Sequence, residues 1–99
     1  MTELDVACRR AADGGDWMCD VTIAVEGGST TRHAVTVAQS ELDRLDPSAP
    51  DPHLLVNASF RFLLERETNT SILRSFDLPV IGHYFPEYEA EIRNRLRAT

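Results

Sequence analysis

The chain predicts an α+β fold: a two- or three-stranded antiparallel β-meander followed by three to four helices packed on one sheet face. Three observations predict it. Apolar residues alternate with polar ones over residues 17–25 and again over 33–37, the period of a half-buried strand. Beyond residue 40 the apolar spacing changes to that of helices, with prolines and short polar residues at the segment starts. Strands come first and helices after, without alternation, an order that argues against a parallel sheet. The 99 residues fit one domain, 1–39 as the meander and 40–99 as its helical part.

Trp17, Cys19, Val21, Ile23 and Val25 form the apolar set of the clearest strand. Gly27-Gly28 breaks the pattern, and His33, Val35 and Val37 resume it. Both sets sit at odd positions, so they share a face only if paired residues sum to an even number. A two-residue turn at Gly27-Gly28 fails this condition. A three- or five-residue loop meets it, for example with Val21 opposite Val35 and Ile23 opposite His33. Leu4, Val6 and Cys8 alternate as well, and Asp13-Gly14-Gly15 is a turn signal. An antiparallel first strand would set Cys8 opposite Cys19 and Val6 beside Val21. A short helix using Leu4, Ala7, Cys8 and Ala11 stays open as the alternative. The first or the third strand would then be an exposed sheet edge.

Glu41 to Leu45 reads as a short helix with Ser40 as its cap, followed by a stiff proline-rich connector. Asp51 caps a helix over 52–66, with Pro52 in its first turn. Its polar residues His53, Asn57, Arg61 and Glu65 recur every fourth position, so this helix is expected to be mostly buried, with Arg61 and Glu65 paired. Ser71 caps a short helix through Phe76, and Asp77 caps another with Pro79 in its first turn. Pro86 opens the last helix. Glu87, Glu89 and Glu91 crowd its start and Arg93, Arg95 and Arg97 its end, the order that complements the helix dipole. Glu89 with Arg93 and Glu91 with Arg95 are favourable pairs four residues apart. Phe85, Tyr88, Ile92 and Leu96 form its apolar face.

Net charge is −6, and all ten cations are arginine. The acidic balance opposes a nucleic-acid partner, and the missing lysine reads as the codon usage of a GC-rich genome. No stretch has transmembrane length and the N-terminus is acidic, so no membrane association is expected and the expected location is cytoplasmic. A reducing compartment would keep Cys8 and Cys19 as thiols. Asn57-Ala-Ser59 and Asn69-Thr-Ser71 match the glycosylation pattern, without a secretion signal to give it meaning.

The segment Phe62 to Glu67, then Ser71-Ile-Leu-Arg-Ser-Phe-Asp-Leu-Pro-Val-Ile81, then Tyr84-Phe-Pro-Glu-Tyr88, resembles a family of small uncharacterised actinobacterial proteins. The likeness extends loosely to the strand at His33 to Val37 and to the connector from Leu42 to Pro52. It implies a bacterial cytoplasmic home and carries over no activity, cofactor, partner or functional residue.

The residues themselves offer little chemistry. There is no Cys-x-x-Cys or His-x-x-x-His pair for a metal, no Gly-x-Ser-x-Gly elbow and no phosphate loop. No catalytic, cofactor-binding or metal-ligating residue is assigned, no cofactor is expected, and the reading leans away from an enzyme. The favoured reading is a small protein-interaction or regulatory module whose partner is another protein or a second copy of itself. Tyr84, Tyr88, Arg74 and Trp17 are its candidate surface, because aromatics and arginine dominate binding hot spots. Phe85 leans to the core, while the hydroxyls of Tyr84 and Tyr88 call for partial exposure. The alternative is a ligand- or metal-binding domain or small enzyme using Cys8, Cys19, His33, His53 and His83. A nucleic-acid binder using Arg66, Arg74, Arg93, Arg95 and Arg97 comes third.

Overall fold

The computed structural model describes residues 2–97. It is α+β, with a four-stranded sheet in the order β1-β2-β3-β4. The strands are β1 (Thr2–Arg10), β2 (Trp17–Val25), β3 (Thr30–Val37) and β4 (Ser75–Asp77). The helices are α1 (Gln39–Leu45), α2 (His53–Leu64), α3 (Val80–Tyr84) and α4 (Tyr88–Arg97), with a single 3₁₀ turn at Asn69–Ser71.

The first three strands are the antiparallel meander that the alternation predicts. Val6 lies opposite Val21 and Cys8 opposite Cys19, which settles residues 3–10 as strand rather than helix. The register of β2 on β3 differs from the expected example by two residues: Cys19 faces Val35 and Val21 faces His33. Parity fixes the face a residue points to, and the hairpin loop fixes the offset. Here Ala24 and Thr30 are the last partners. Gly28 N–H donates to Val25 O at 2.9 Å, and Gly27 sits at φ +75°, the left-handed region that glycine tolerates best.

Val6, Cys19, Val21, Ile23, His33, Val35 and Val37 are the buried strand residues, and all lie on one face. The opposite face carries Glu3, Asp5, Asp20, Arg32 and Asp77 among exposed or half-buried neighbours. Cys8 and Cys19 are joined by a disulfide across β1 and β2. This corrects the expectation of free thiols. Neighbouring positions on one sheet face are what let the two sulfurs meet.

The second half departs further from expectation. Residues 71–76 are not a helix: the chain turns at Asn69–Ser71 and then forms β4, parallel to β3, with Val35 opposite Phe76. The sheet is therefore mixed, and the part expected to be wholly helical carries a strand. Element order does not exclude a parallel pair, because a parallel partner can return after a long crossover, here the whole stretch from α1 to the turn. Ala34 N–H donates to Arg74 O at 2.7 Å and Leu78 N–H to Thr36 O at 3.0 Å, so β4 is held at both ends.

A buried polar chain secures the same return. His33 is buried, with Nδ1 at 2.7 Å from Leu73 O and Nε2 at 2.9 Å from Thr31 Oγ1. A carbonyl only accepts, so Nδ1 carries a proton and donates it to Leu73 O, while Nε2 is paired with the Thr31 hydroxyl. Asn69 Nδ2 donates to Ser29 O at 2.8 Å and to Thr31 Oγ1 at 3.1 Å. The imidazole also packs against Phe60, with ring centres 5.5 Å apart. Asn69 is thus a buried structural donor.

Helix starts differ by small steps from the expected caps. α1 begins at Gln39, with Ala38 rather than Ser40 before it and no side-chain cap. Asp51 does serve the start of α2, accepting from His53 N–H at 2.8 Å, although Pro52 precedes the helix instead of opening it. α4 starts at Tyr88, two residues after Pro86. Leu55, Val56, Ser59, Phe60, Phe62 and Leu63 of α2 are buried, as expected of the central core helix, while Leu54 is exposed.

The His33 node generates an expected outcome. Replacing His33→Ala leaves Leu73 O without its donor and opens a void beside Phe60. A loss of about 2–4 kcal/mol is expected in urea unfolding. Hydrogen exchange should quicken first at the amides of Ala34 and Leu78. Unchanged protection there would show that β4 does not depend on the imidazole.

Candidate functional site

The C-terminal third builds a cleft of about 290 Å³ on the molecular surface. The end of α2 contributes Leu63, and Glu67 follows it. The extended Ile72-Leu73 step leads into β4, which adds Phe76. α3 contributes Val80, Ile81 and Tyr84, and Phe85 closes one side. The lining is apolar except for Glu67, Ser71 and the Tyr84 hydroxyl. Tyr84 is 65% exposed and Leu73 48%, and with Leu54 they are the exposed large apolar side chains among the described residues.

Local sequence explains this exposure. In extended backbone, successive side chains point to opposite sides. Ile72, at φ −75° and ψ 138°, turns inward and is buried, so Leu73 must turn outward. α3 has five residues and buries only Ile81, which leaves Tyr84 at its far end over the cleft. The adjacent apolar pair Ile72-Leu73 was the signal in the sequence for a surface leucine, and reading it as helix concealed it.

The four candidate residues do not share one surface. Tyr84 lies at the cleft rim, with His83 packed edge-on against its ring. Tyr88 is 1% exposed, which corrects the expectation of partial exposure. Its ring packs against Phe62 with centres 5.4 Å apart, and its hydroxyl lies 2.6 Å from Ser59 Oγ. Ser59 gives its only proton to Leu55 O at 2.7 Å, so Tyr88 donates to Ser59. The hydroxyl has an internal partner 29 residues away in place of water. Arg74 lies with Asp20, Thr22 and Arg32 on the open sheet face. Trp17 is half-buried and donates Nε1–H to Gln39 Oε1 at 2.9 Å, with the Arg10 guanidinium 4.8 Å from its ring.

Several arginines have local partners. Arg66 stacks on Phe62 at 3.6 Å and reaches Glu87 at 3.4 Å. Arg95 joins α4 to the end of α2 through Glu65 at 2.6 Å and pairs with Glu91 at 3.1 Å. Arg44 takes Glu89 at 2.5 Å, tying α1 to α4 in place of the expected Glu89–Arg93 pair. Arg61 donates to Asn57 at 3.1 Å, not to Glu65. The Arg95 and Arg44 hydrogen bonds hold the carboxyls of Glu65 and Glu89 below the usual carboxylate range. Of the arginines named for a basic patch, Arg66 and Arg95 are thereby held in local ion pairs, while Arg93 and Arg97 line a shallow hollow with Arg44.

The cysteines and histidines are not gathered into a metal-binding cluster. The two sulfurs are bonded to each other, and both nitrogens of His33 are occupied by Leu73 and Thr31. Among the described residues no group of three or more His, Cys, Asp and Glu side chains is placed to hold a metal ion. No helix among them is long and apolar enough to cross a membrane. No family model, no curated protein and no solved structure matches the chain.

Tyr88 provides a pH test of the core that underlies the cleft. Burial, its largest cause, raises its phenol above the ordinary tyrosine range. The folded state therefore favours the neutral ring. This stability is complete below the ordinary value of about 10 and is lost as pH rises beyond it. Tyr88→Phe is expected to cost about 1 kcal/mol at neutral pH and to flatten the alkaline fall in stability. An alkaline profile identical to wild type would contradict the assignment.

Proposed function

We propose that the chain is a small protein-interaction module that docks a short segment of a partner protein in the Tyr84 cleft. The observation that carries this reading is that two exposed large side chains, Tyr84 and Leu73, line a hollow that is apolar apart from Glu67 and Ser71. Aromatic residues beside a desolvated hollow are the usual anchors of binding surfaces. The volume, about 290 Å³, lies at the small end of ligand sites and suits one or two side chains rather than a cofactor.

Charge adds chemistry to the partner. Glu67 sits at the cleft, and no ion pair engages it among the described residues. The protein as a whole is acidic, at −6. The fitting segment is an apolar anchor with a lysine or arginine beside it, the anchor entering against Phe76 and Val80 and the cation meeting Glu67. In this reading the helical half covers the buried face of the sheet and presents the cleft, while the opposite sheet face stays open.

Selection from a displayed library of short peptides tests the proposal. Enriched sequences are expected to share a bulky apolar residue next to a basic one. Tyr84→Ala and Leu73→Ser should each weaken binding at least about tenfold, equivalent to about 1.4 kcal/mol, with unchanged circular dichroism. Glu67→Gln should lose the preference for the basic neighbour. Enrichment without a common pattern, or binding indifferent to Tyr84 and Leu73, overturns the proposal.

A further inference from the structure

Among the described residues the sheet ends in two edge strands of different character. β4 is three residues long, and a short strand offers little to a newcomer. β1 is nine residues long and pairs with β2 without interruption, carrying no proline, glycine or bulge. A long, regular edge is a template for another strand unless its side chains forbid it.

The hydrogen-bonding phase of this edge can be read from two contacts. Cys8 and Cys19 face each other with Cα atoms 4.1 Å apart, the close approach of a non-hydrogen-bonded antiparallel pair. Ala11 N–H donates to Asp16 O at 2.8 Å, a hydrogen-bonded step at an odd position. Odd residues of β1 therefore bond to β2, and the backbone N–H and C=O groups of Leu4, Val6 and Cys8 point away from the sheet. Among the described residues no strand lies on that side.

We infer that β1 is the interface of a symmetric dimer in which two copies pair β1 with β1, antiparallel and centred on Val6. The two four-stranded sheets become one continuous sheet. The two-fold axis sets Val6 against Val6 and Leu4 against Cys8 of the second copy. These are the positions whose backbone groups point outward, so the hydrogen-bonding phase is satisfied. Leu4 and Cys8 are only half-buried, and the added strand covers their remaining apolar surface.

Charge selects the register. On the open face β1 reads Glu3, Asp5, Ala7, Arg9. Reversed about Val6, Glu3 lies opposite Arg9 of the second copy, and Asp5 lies diagonal to the same guanidinium. Both contacts occur twice. Centring on Asp5 instead would oppose the two Asp5 carboxylates. Centring on Ala7 would leave Glu3 beyond the paired span. Only the Val6 register engages the full strand with no like charges opposed, and self-complementarity is what a two-fold interface demands. Arg9 already extends over this face to Asp20 at 2.9 Å; both groups are well exposed, so sharing or releasing that bridge costs little.

Sedimentation equilibrium and a paired charge reversal test the inference. The wild type should show a concentration-dependent mass rising from 11.1 kDa toward twice that value, with association weakening as salt increases. Arg9→Glu alone, and Glu3→Arg with Asp5→Arg in a second variant, should each self-associate at least about tenfold more weakly. Mixed together, these two variants should form a heterodimer, because every opposed pair is complementary again. Recovery on mixing rules out misfolding as the cause of the loss. A wild type monomeric up to millimolar concentration, or a dimer unaffected by Arg9→Glu, overturns the inference. Neither variant touches the Tyr84 cleft, so peptide binding reports on that proposal separately.

Discussion

The return of the chain to the sheet rests on one buried imidazole. His33 sits in the row of β3 residues that otherwise supplies Val35 and Val37 to the core, and its neighbours there are apolar. A polar ring in that row is tolerable only with both nitrogens satisfied. The Leu73 carbonyl and the Thr31 hydroxyl meet this condition, and Asn69 completes the chain of donors. Three separated pieces of sequence must therefore arrive together: the start of β3, the turn after α2 and the entry to β4. That coincidence positions β4, and β4 in turn positions Phe76 and the outward-facing Leu73. The cleft is a downstream product of the hydrogen bonds beneath it.

α4 performs the corresponding task for the helices. Tyr88 and Ile92 are its buried residues, and the Tyr88 hydroxyl finds Ser59 on the inner side of α2. Around that core contact, Arg44–Glu89 and Arg95–Glu65 link α4 to α1 and to the end of α2. Each ion pair is partly exposed and contributes little by itself. Their value is directional: they agree with the packing on where α4 lies. The acid-to-base order along the last helix, which sequence alone explains by the dipole, also places Glu89 at Arg44 and Arg95 at Glu65.

The meander was legible because its signal is local. Val6 beside Val21 and Cys8 opposite Cys19 follow from alternation and a glycine turn. The offset of β2 on β3 was not, since parity admits several loops and only the geometry at Gly27 and Gly28 chooses among them. β4 was illegible for a different reason. Three residues carry too little periodicity to reveal a strand, and its partner lies some forty residues upstream. Ser71 and Asp77 resemble helix caps in isolation, but their neighbours are committed by His33 instead. At the candidate site, the exposure of Tyr84 could be anticipated from its type. The burial of Tyr88 could not, because it depends on a serine inside an apolar helix that offers its oxygen to a distant phenol. Leu73 was missed because its orientation follows from extended backbone, and the segment was read as helical.

The disulfide has a topological consequence. Edge strands can detach and insert into a neighbouring molecule, exchanging identical elements between protomers. Here Cys8 stitches β1 to β2 near the far end of the strand from the N-terminus. Domain swapping of β1 would require that bond to be broken and reformed between chains. The oxidised protein can thus present its edge to a partner but cannot lend it, so assembly along this side is confined to apposition of intact sheets.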